Sequence, residues 1–224
     1  MTGNDRTEPD QYASPPCSMH ELDPAYFGLP PERGTAGSDV ARWRTAERKR
    51  LLAQRLALSA ATRAEHAQQI ARHLDALIGD PAGLIVSAYW PIRGEPDLRA
   101  WLEELQRRGA RTALPVVVTK GAPLVFRLWR QGDRLERGVW NIPVPVDGKQ
   151  VEPHIALAPV VGYDAGCYRL GYGGGYFDRT LARLPASTIG IGVGYAEAEI
   201  ATIYPQPFDI PMRHIATERG TRTR

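Results

Sequence analysis

Apolar residues recur along this chain with two different periods. Val40, Trp43, Leu51, Leu52, Leu56 and Leu58 are set among Arg, Glu, Gln and Ala, a pattern that predicts an amphipathic helix with Asp39 as its N-cap. Ser59 caps a second predicted helix. Its face is Ile70, Leu74, Leu77 and Ile78, and Gly79-Asp80-Pro81 ends it. The period then shortens. Leu84–Trp90 is a continuous apolar run that suits a buried parallel strand, and Pro91–Gly94 is a loop. A helix over Leu98–Arg108 ends at Gly109, and strands follow over Arg111–Val118 and Leu124–Trp129. Gly132–Val151 is rich in turn residues. Ile155–Val161 is a strand, 175–184 a helix, Thr188–Tyr195 a strand, and a last strand lies near His214–Thr217. In Thr188–Tyr195, Gly190, Gly192 and Gly194 alternate with apolar residues, which reads as close approach of backbone or ligand.

Strands alternating with helices predict an α/β fold: one open, mostly parallel sheet flanked by helices, a Rossmann-like three-layer arrangement. Ligands of such sheets collect beyond the carboxyl ends of the strands. Trp90–Glu95, Tyr163–Tyr176 and Tyr195 are therefore expected to meet in one site. Residues 1–38 hold six prolines and four glycines without a sustained apolar period, and read as a disordered or loosely attached extension. The α/β domain then spans residues 39–224.

The densest chemistry lies in Arg169-Leu-Gly-Tyr-Gly-Gly-Gly-Tyr-Phe-Asp178-Arg179. Gly171, Gly173, Gly174 and Gly175 fall within five positions. One tight turn needs one or two glycines, whereas a run of them can gather successive N–H groups into a concavity for an anion. A helix follows, so the loop suits phosphate. Arg169 adds charge, and Asp178 is a carboxylate able to hold Mg2+. The run is neither a Walker A loop, since Tyr176 follows Gly175, nor a G-x-G-x-x-G dinucleotide fingerprint.

Composition adds an asymmetry of charge. Residues 1–40 hold two Arg and seven Asp or Glu, net −5, and the remainder is +8. A basic body suits an anionic partner such as a nucleotide, an acidic metabolite or a nucleic acid. Two cysteines, Cys17 and Cys167, make neither a disulfide framework nor a metal spacing, and the five histidines are scattered. The sequence contains no apolar run long enough to span a membrane, and Met1–Asp10 is polar, so no membrane partner and a cytoplasmic location are expected.

The glycine motif resembles the signature of the 5-formyltetrahydrofolate cyclo-ligases (5,10-methenyltetrahydrofolate synthetases). The resemblance extends to Gly162-Tyr-Asp-Ala-Gly, Leu58-Ser59, Tyr89-x-Pro91 with Glu95, Pro143, Asp209-Ile-Pro-Met and Thr217-Glu218, over about residues 42–218. It implies an ATP-dependent ligase, with Mg2+, that converts 5-formyltetrahydrofolate to 5,10-methenyltetrahydrofolate, ADP and phosphate. In that chemistry the N5 formyl oxygen attacks the γ-phosphate, N10 attacks the resulting imino-phosphate, and phosphate leaves.

Carried over by motif, the resemblance implies that Arg44, Arg48, Arg169 and Gly171–Phe177 hold ATP, including Tyr172, Gly173, Gly174, Gly175 and Tyr176. Trp90, Glu95 and Tyr172–Tyr176 face the folate, Arg169 and Tyr176 act in catalysis, and Asp178 and Asp209 bind magnesium. The expected partners are ATP and a reduced folate, with the chain a monomer or weak dimer. Departures from the family pattern fall at Arg44, Val144, Ala198 and Phe208. Two alternatives stand beside this reading: a diverged paralogue using ATP on another pterin or acidic metabolite, and a basic nucleic-acid-binding module.

Overall fold

The computed structural model describes residues 35–224. The extension read over 1–38 therefore lies almost wholly outside the described residues. Helix α1 (Thr35–Ala57) begins ahead of the boundary at residue 39. Asp39 is inside it rather than at its cap, and pairs with Arg42 one turn on. The inward stripe of α1 also differs from the apolar one expected. Leu51 and Leu52 are buried, but so are Arg44 and Arg55, while Leu56 is exposed.

Helix α2 (Ala60–Ile78) starts where the sequence puts it. The Ser59 hydroxyl accepts the Thr62 N–H at 3.0 Å, and Gly79 leaves the helix at φ 73°. Residues Ala67, Ile70 and Leu74 form its buried face. Helix α3 (Arg99–Arg107) buries Trp101, Leu102 and Leu105. The two helices are tied at Asp75, whose Oδ1 accepts from Trp101 Nε1 at 3.1 Å and from Arg108 at 2.7 Å.

Eight strands form the main sheet: β1 (Ile85–Ser87), β2 (Arg111–Val116), β3 (Val125–Leu128), β6 (Gln150–Val151), β7 (Ile155–Pro159), β10 (Ile189–Val193), β11 (His214–Thr217) and β12 (Gly220–Thr223). Their order is β12-β11-β10-β7-β1-β2-β3-β6. The five central strands are parallel, and antiparallel pairings occur only towards the edges. The alternation of elements thus gives the α/β sheet it predicts. One face is covered by α2 and α3, whose Ile70, Leu74, Leu102 and Leu105 pack on Val86, Leu114, Leu157 and Val193. The other carries α4 (Tyr176–Leu181), with Phe177 and Leu181 against Val160 and Met212. Helix α1 packs Leu51 and Leu52 on Val161, Leu170 and Ile203, past the carboxyl end of β7.

Two small hairpins complete the chain: β4 (Leu135–Arg137) with β5 (Pro143–Pro145), and β8 (Gly162–Tyr163) with β9 (Arg169–Leu170). The first lies in the segment read as turns. The second is closed by Asp164, whose Oδ1 accepts the N–H groups of Gly166 at 3.0 Å and Tyr168 at 3.1 Å, and so sets where Arg169 emerges. Sequential connections run from β1 through α3 to β2 on one side, and from β7 to β10 and β11 on the other. The order therefore reverses between β1 and β7, which in such sheets opens a crevice beyond the strand ends.

The strand glycines have a different role from the one expected. A Cβ on Gly190, Gly192 or Gly194 would meet Leu181 at 3.1 Å, Ile215 at 2.5 Å or Val160 at 2.4 Å, so they make room for core side chains and not for a ligand. Gly192→Ala should cost about 1–3 kcal/mol through overpacking. Urea denaturation reads this directly, and an unchanged midpoint would contradict the tight fit.

Candidate functional site

Helix α1 forms one wall of a cleft beyond the carboxyl ends of β1, β2 and β7. Arg44, Arg48 and Arg55 fall on one stripe, since residues four and seven apart share a helix face. The 1.5 Å rise per residue separates Arg44 from Arg55 by roughly 16 Å along the axis. Each fastens a different segment. Arg44 donates from Nε to Ile203 O at 2.9 Å, from Nη2 to Tyr204 O at 2.8 Å, and from Nη2 to Asp209 at 2.5 Å. Arg48 donates from Nε to Gly171 O at 2.7 Å. Arg55 donates to Arg93 O at 3.0 Å, Val160 O at 3.3 Å and the Tyr172 hydroxyl at 2.6 Å.

The glycine loop lies along the middle of this wall. Buried Arg169 pairs with Asp178 at 2.7 Å and lies 5.3 Å from the Phe177 ring centre. Gly171 leaves room for the Arg169 guanidinium, since a Cβ there would sit 2.5 Å from its Nη1 and the side chain would have to shift. Gly175 is left-handed, φ 60°, and a Cβ on it would come within 2.8 Å of Arg179 Nη1. Arg179 itself donates to Gly174 O at 2.6 Å. The Nε groups of Arg169 and Arg179 are buried without a hydrogen-bond partner. Arg48 has no carboxylate within ion-pair distance among the described residues. Burial, and then the Arg44 and Arg169 charges, lower its pKa to about 10. A site that crowds guanidinium groups in this way is arranged for an anion.

At the other end stands Glu95, 5% exposed. Its Oε2 accepts the Ile92 N–H at 2.9 Å and its Oε1 the Tyr172 O–H at 2.7 Å. Burial pushes its pKa up to about 6 against the pull of Arg55. The remaining wall is apolar and aromatic, from Trp90, Leu114, Val117, Leu124, Trp140 and Val144. Trp90 lies under Arg99, and the Trp140 ring meets Tyr176 edge-on at 5.2 Å. The Tyr176 hydroxyl accepts the Gly121 N–H at 3.3 Å.

Arg44, Arg48, Trp90, Glu95, Arg169, Gly171–Asp178 and Asp209 all line this cleft. Tyr195 does not line it. Its hydroxyl donates to Gly94 O at 2.9 Å and backs the loop that carries Glu95. Of the departures from the family pattern, Val144 and Phe208 face the cleft, and Ala198 packs elsewhere. Arg93 lies in the Trp90–Glu95 stretch expected at the site, whereas Arg55 was not among the residues expected there. For Arg55 the signal was its place on the stripe of Arg44 and Arg48.

No group of three or more His, Cys, Asp or Glu able to cage a metal occurs among the described residues. Asp178 and Asp209 each face a guanidinium and the cleft. That donor set fits a hard cation arriving with phosphate oxygens, which needs only one or two carboxylates. No helix among the described residues is long and apolar enough to cross a membrane.

A glycine- and arginine-lined crevice at the reversal of strand order defines an α/β protein with a cleft suited to an anionic ligand at its switch point. Residues 40–218 match the model of the 5-formyltetrahydrofolate cyclo-ligase family, and the chain belongs to that family. It is a family of ATP-dependent ligases. The chain is 32% identical over 146 residues to the 5-formyltetrahydrofolate cyclo-ligase of Mycolicibacterium smegmatis, covering 62% of this chain and 75% of the relative. The Escherichia coli cyclo-ligase is 29% identical over 139 residues, 59% of this chain and 76% of its own. Among solved structures, the Aquifex aeolicus 5,10-methenyltetrahydrofolate synthetase superposes with a TM-score of 0.70 at 28% identity, over 80% of this chain and 92% of that one. The Mycoplasma pneumoniae synthetase shares the fold, with a TM-score of 0.65 at 24% identity, over 78% and 98%.

The raised Glu95 pKa has a consequence for stability. Its value of about 6 exceeds the ordinary 4.5, so the folded state holds this proton more tightly than the unfolded chain. Stability from this group is present below the ordinary value and is lost as pH rises through 6. The loss is about 2 kcal/mol, at 1.36 kcal/mol per unit. The stability difference between Glu95→Gln and wild type should therefore tilt towards the variant by about that amount from pH 4 to pH 8. Parallel pH profiles for the two proteins would contradict the buried charge.

Proposed function

We propose that this protein is a 5-formyltetrahydrofolate cyclo-ligase that uses ATP to close 5-formyltetrahydrofolate to 5,10-methenyltetrahydrofolate. The observation that carries this is the polarity of the cleft. One helix wall presents guanidinium groups at Arg44 and Arg48, and lies against a buried carboxylate at Glu95, with the glycine loop between them. Phosphates belong beside Arg48 and Arg169. The nucleoside runs outwards past Asp209, where Phe208 is exposed on the rim. The pterin belongs at the apolar end, where Glu95 accepts its N–H groups and Trp90 and Tyr172 flank it.

The formyl oxygen then meets the γ-phosphorus at Gly171–Gly175. Attack forms the O–P bond and releases ADP. Attack of N10 on the activated carbon forms the C–N bond that closes the ring, N10 gives up its proton to the departing phosphate, and phosphate leaves with the former formyl oxygen. The chain supplies position and charge rather than a nucleophile, as phosphoryl transfer requires. Arg169 and Arg48 neutralise charge on the phosphates, and Tyr176 closes the wall behind them. Arg44 has protein partners on all three nitrogens, so it acts chiefly by fixing Asp209. Asp178 and Asp209 would hold Mg2+ accompanying the nucleotide. When bound, that ion draws negative charge from the phosphate oxygens.

Purified protein with ATP, Mg2+ and 5-formyltetrahydrofolate should form the methenyl product, followed by its absorbance. No product above an ATP-free blank would overturn the assignment. Arg48→Ala and Arg169→Ala should each lower kcat/KM for ATP by about 10- to 150-fold, the effect of losing a charged hydrogen bond of roughly 1.5–3 kcal/mol. Unchanged values in both would remove these arginines from the phosphate site.

A further inference from the structure

Arg55 contacts neither the phosphate end of the cleft nor any carboxylate, yet it is 6% exposed and hydrogen-bonded through each of its three nitrogens. Its three nitrogens join the loop after β1, the end of β7 and the glycine loop. A guanidinium can only donate. The Tyr172 oxygen therefore accepts from Arg55 Nη2 at 2.6 Å, and the single hydroxyl proton of Tyr172 is left to point at Glu95 Oε1, 2.7 Å away. At Oε2 the Ile92 N–H, which also can only donate, occupies one lone pair at 2.9 Å. Every proton in this chain of contacts runs towards the carboxylate. A proton on Glu95 Oε1 would face the Tyr172 proton, whose other direction Arg55 already blocks. Each Glu95 oxygen keeps a further lone pair for the cleft that Glu95 lines.

We propose that Arg55 is a positioning residue for substrate recognition: acting through Tyr172, it fixes Glu95 as a double acceptor for adjacent N–H groups of the folate's pterin ring. This rests on the cyclo-ligase reading. Arg55 touches no reacting atom. Its role is the direction of the Tyr172 hydroxyl and the ionised state of the carboxylate behind the substrate.

The other groups around Glu95 do not replace it. Arg93, on the same loop, pulls the Glu95 pKa down less than Arg55 does. Tyr89 and Tyr195 face Glu95 as neutral phenols whose own pKa values burial raises. From α2, the Arg63 side chain reaches Gly94 and donates to Leu58 O at 2.6 Å. Removing Arg55 thus takes away the largest opposing influence on a buried carboxyl, and its proton affinity rises.

The test compares wild type with Arg55→Met, Arg55→Lys and Tyr172→Phe. The Kd for 5-formyltetrahydrofolate is measured by calorimetry between pH 5.5 and 8.5, and the ligand-free Glu95 carboxyl is titrated by 13C NMR. Wild-type affinity should fall below about pH 6, in step with the carboxyl titration. In Arg55→Met the limb should move up by about one unit or more, the effect of removing a nearby opposite charge. Folate affinity at pH 7 should then fall about twofold for a one-unit shift and about tenfold for a two-unit shift. Arg55→Lys should restore the limb to near its wild-type position. A folded Arg55→Met protein with a wild-type limb overturns the proposal. Should that variant not fold, Tyr172→Phe decides: a raised limb supports the relay and an unmoved one overturns it. Wild-type protein that binds no folate at any pH would refute the cyclo-ligase reading, and with it the pterin as the ligand of Glu95. The carboxyl titration still reads whether Arg55 governs Glu95.

Discussion

Buried arginine is the constraint on which the rest of this structure depends. Arg44, Arg55 and Arg169 are each no more than 9% exposed. A charge removed from water is costly unless an opposite charge or hydrogen-bond acceptors are held against it. Each of these guanidinium groups therefore fixes the loops around it. Arg44 fastens 203–209 to α1, Arg55 fastens the loop after β1 and the end of β7 to the glycine loop, and Arg169 fastens the same loop to α4. The sheet fixes only where its strands end. The arginines determine how the segments leaving those ends close around a common cleft.

The glycines follow from the same cause. Gly171 and Gly175 give space to the planes of Arg169 and Arg179, so backbone and guanidinium lie against each other with no side chain between. The loop is thereby lined by fixed positive charge. It needs no long helix behind it, and α4 is only six residues. The opposite end inverts the arrangement, with one carboxyl held among donors at the edge of an apolar wall. A cleft graded from guanidinium to carboxylate along a single helix suits two ligands that must meet head to head, one through an anionic phosphate end and one through a neutral ring that donates N–H groups.

Much of this was legible in the sequence. Periodicity located α2, α3 and the central strands, because their buried faces are built from Ile, Leu, Val and Ala at regular spacing. The motif gathered the cleft residues from Arg44 to Asp209. Arg55 was legible only by its spacing from Arg44 and Arg48, since an apolar count along α1 turns Leu56 inwards, whereas the partners of Arg55 come from residues 38 to 117 positions away. The β4–β5 hairpin was hidden by Pro143 and Pro145, which argue against a strand, and by the left-handed Trp140 and Asn141 at its tip. Gly190, Gly192 and Gly194 misled for a related reason. What a glycine leaves room for is set by Val160, Leu181 and Ile215, none of them its sequence neighbour.

The central claim is that the cleft brings the folate's formyl oxygen against the terminal phosphate at Gly171–Gly175. The most direct measurement follows that oxygen: 31P NMR of the phosphate released from formyl-18O-labelled 5-formyltetrahydrofolate and unlabelled ATP. One 18O in each phosphate, seen as an upfield isotope shift, is the result this geometry predicts. Unlabelled phosphate would mean that water, and not the formyl oxygen, receives the phosphoryl group, and would contradict it.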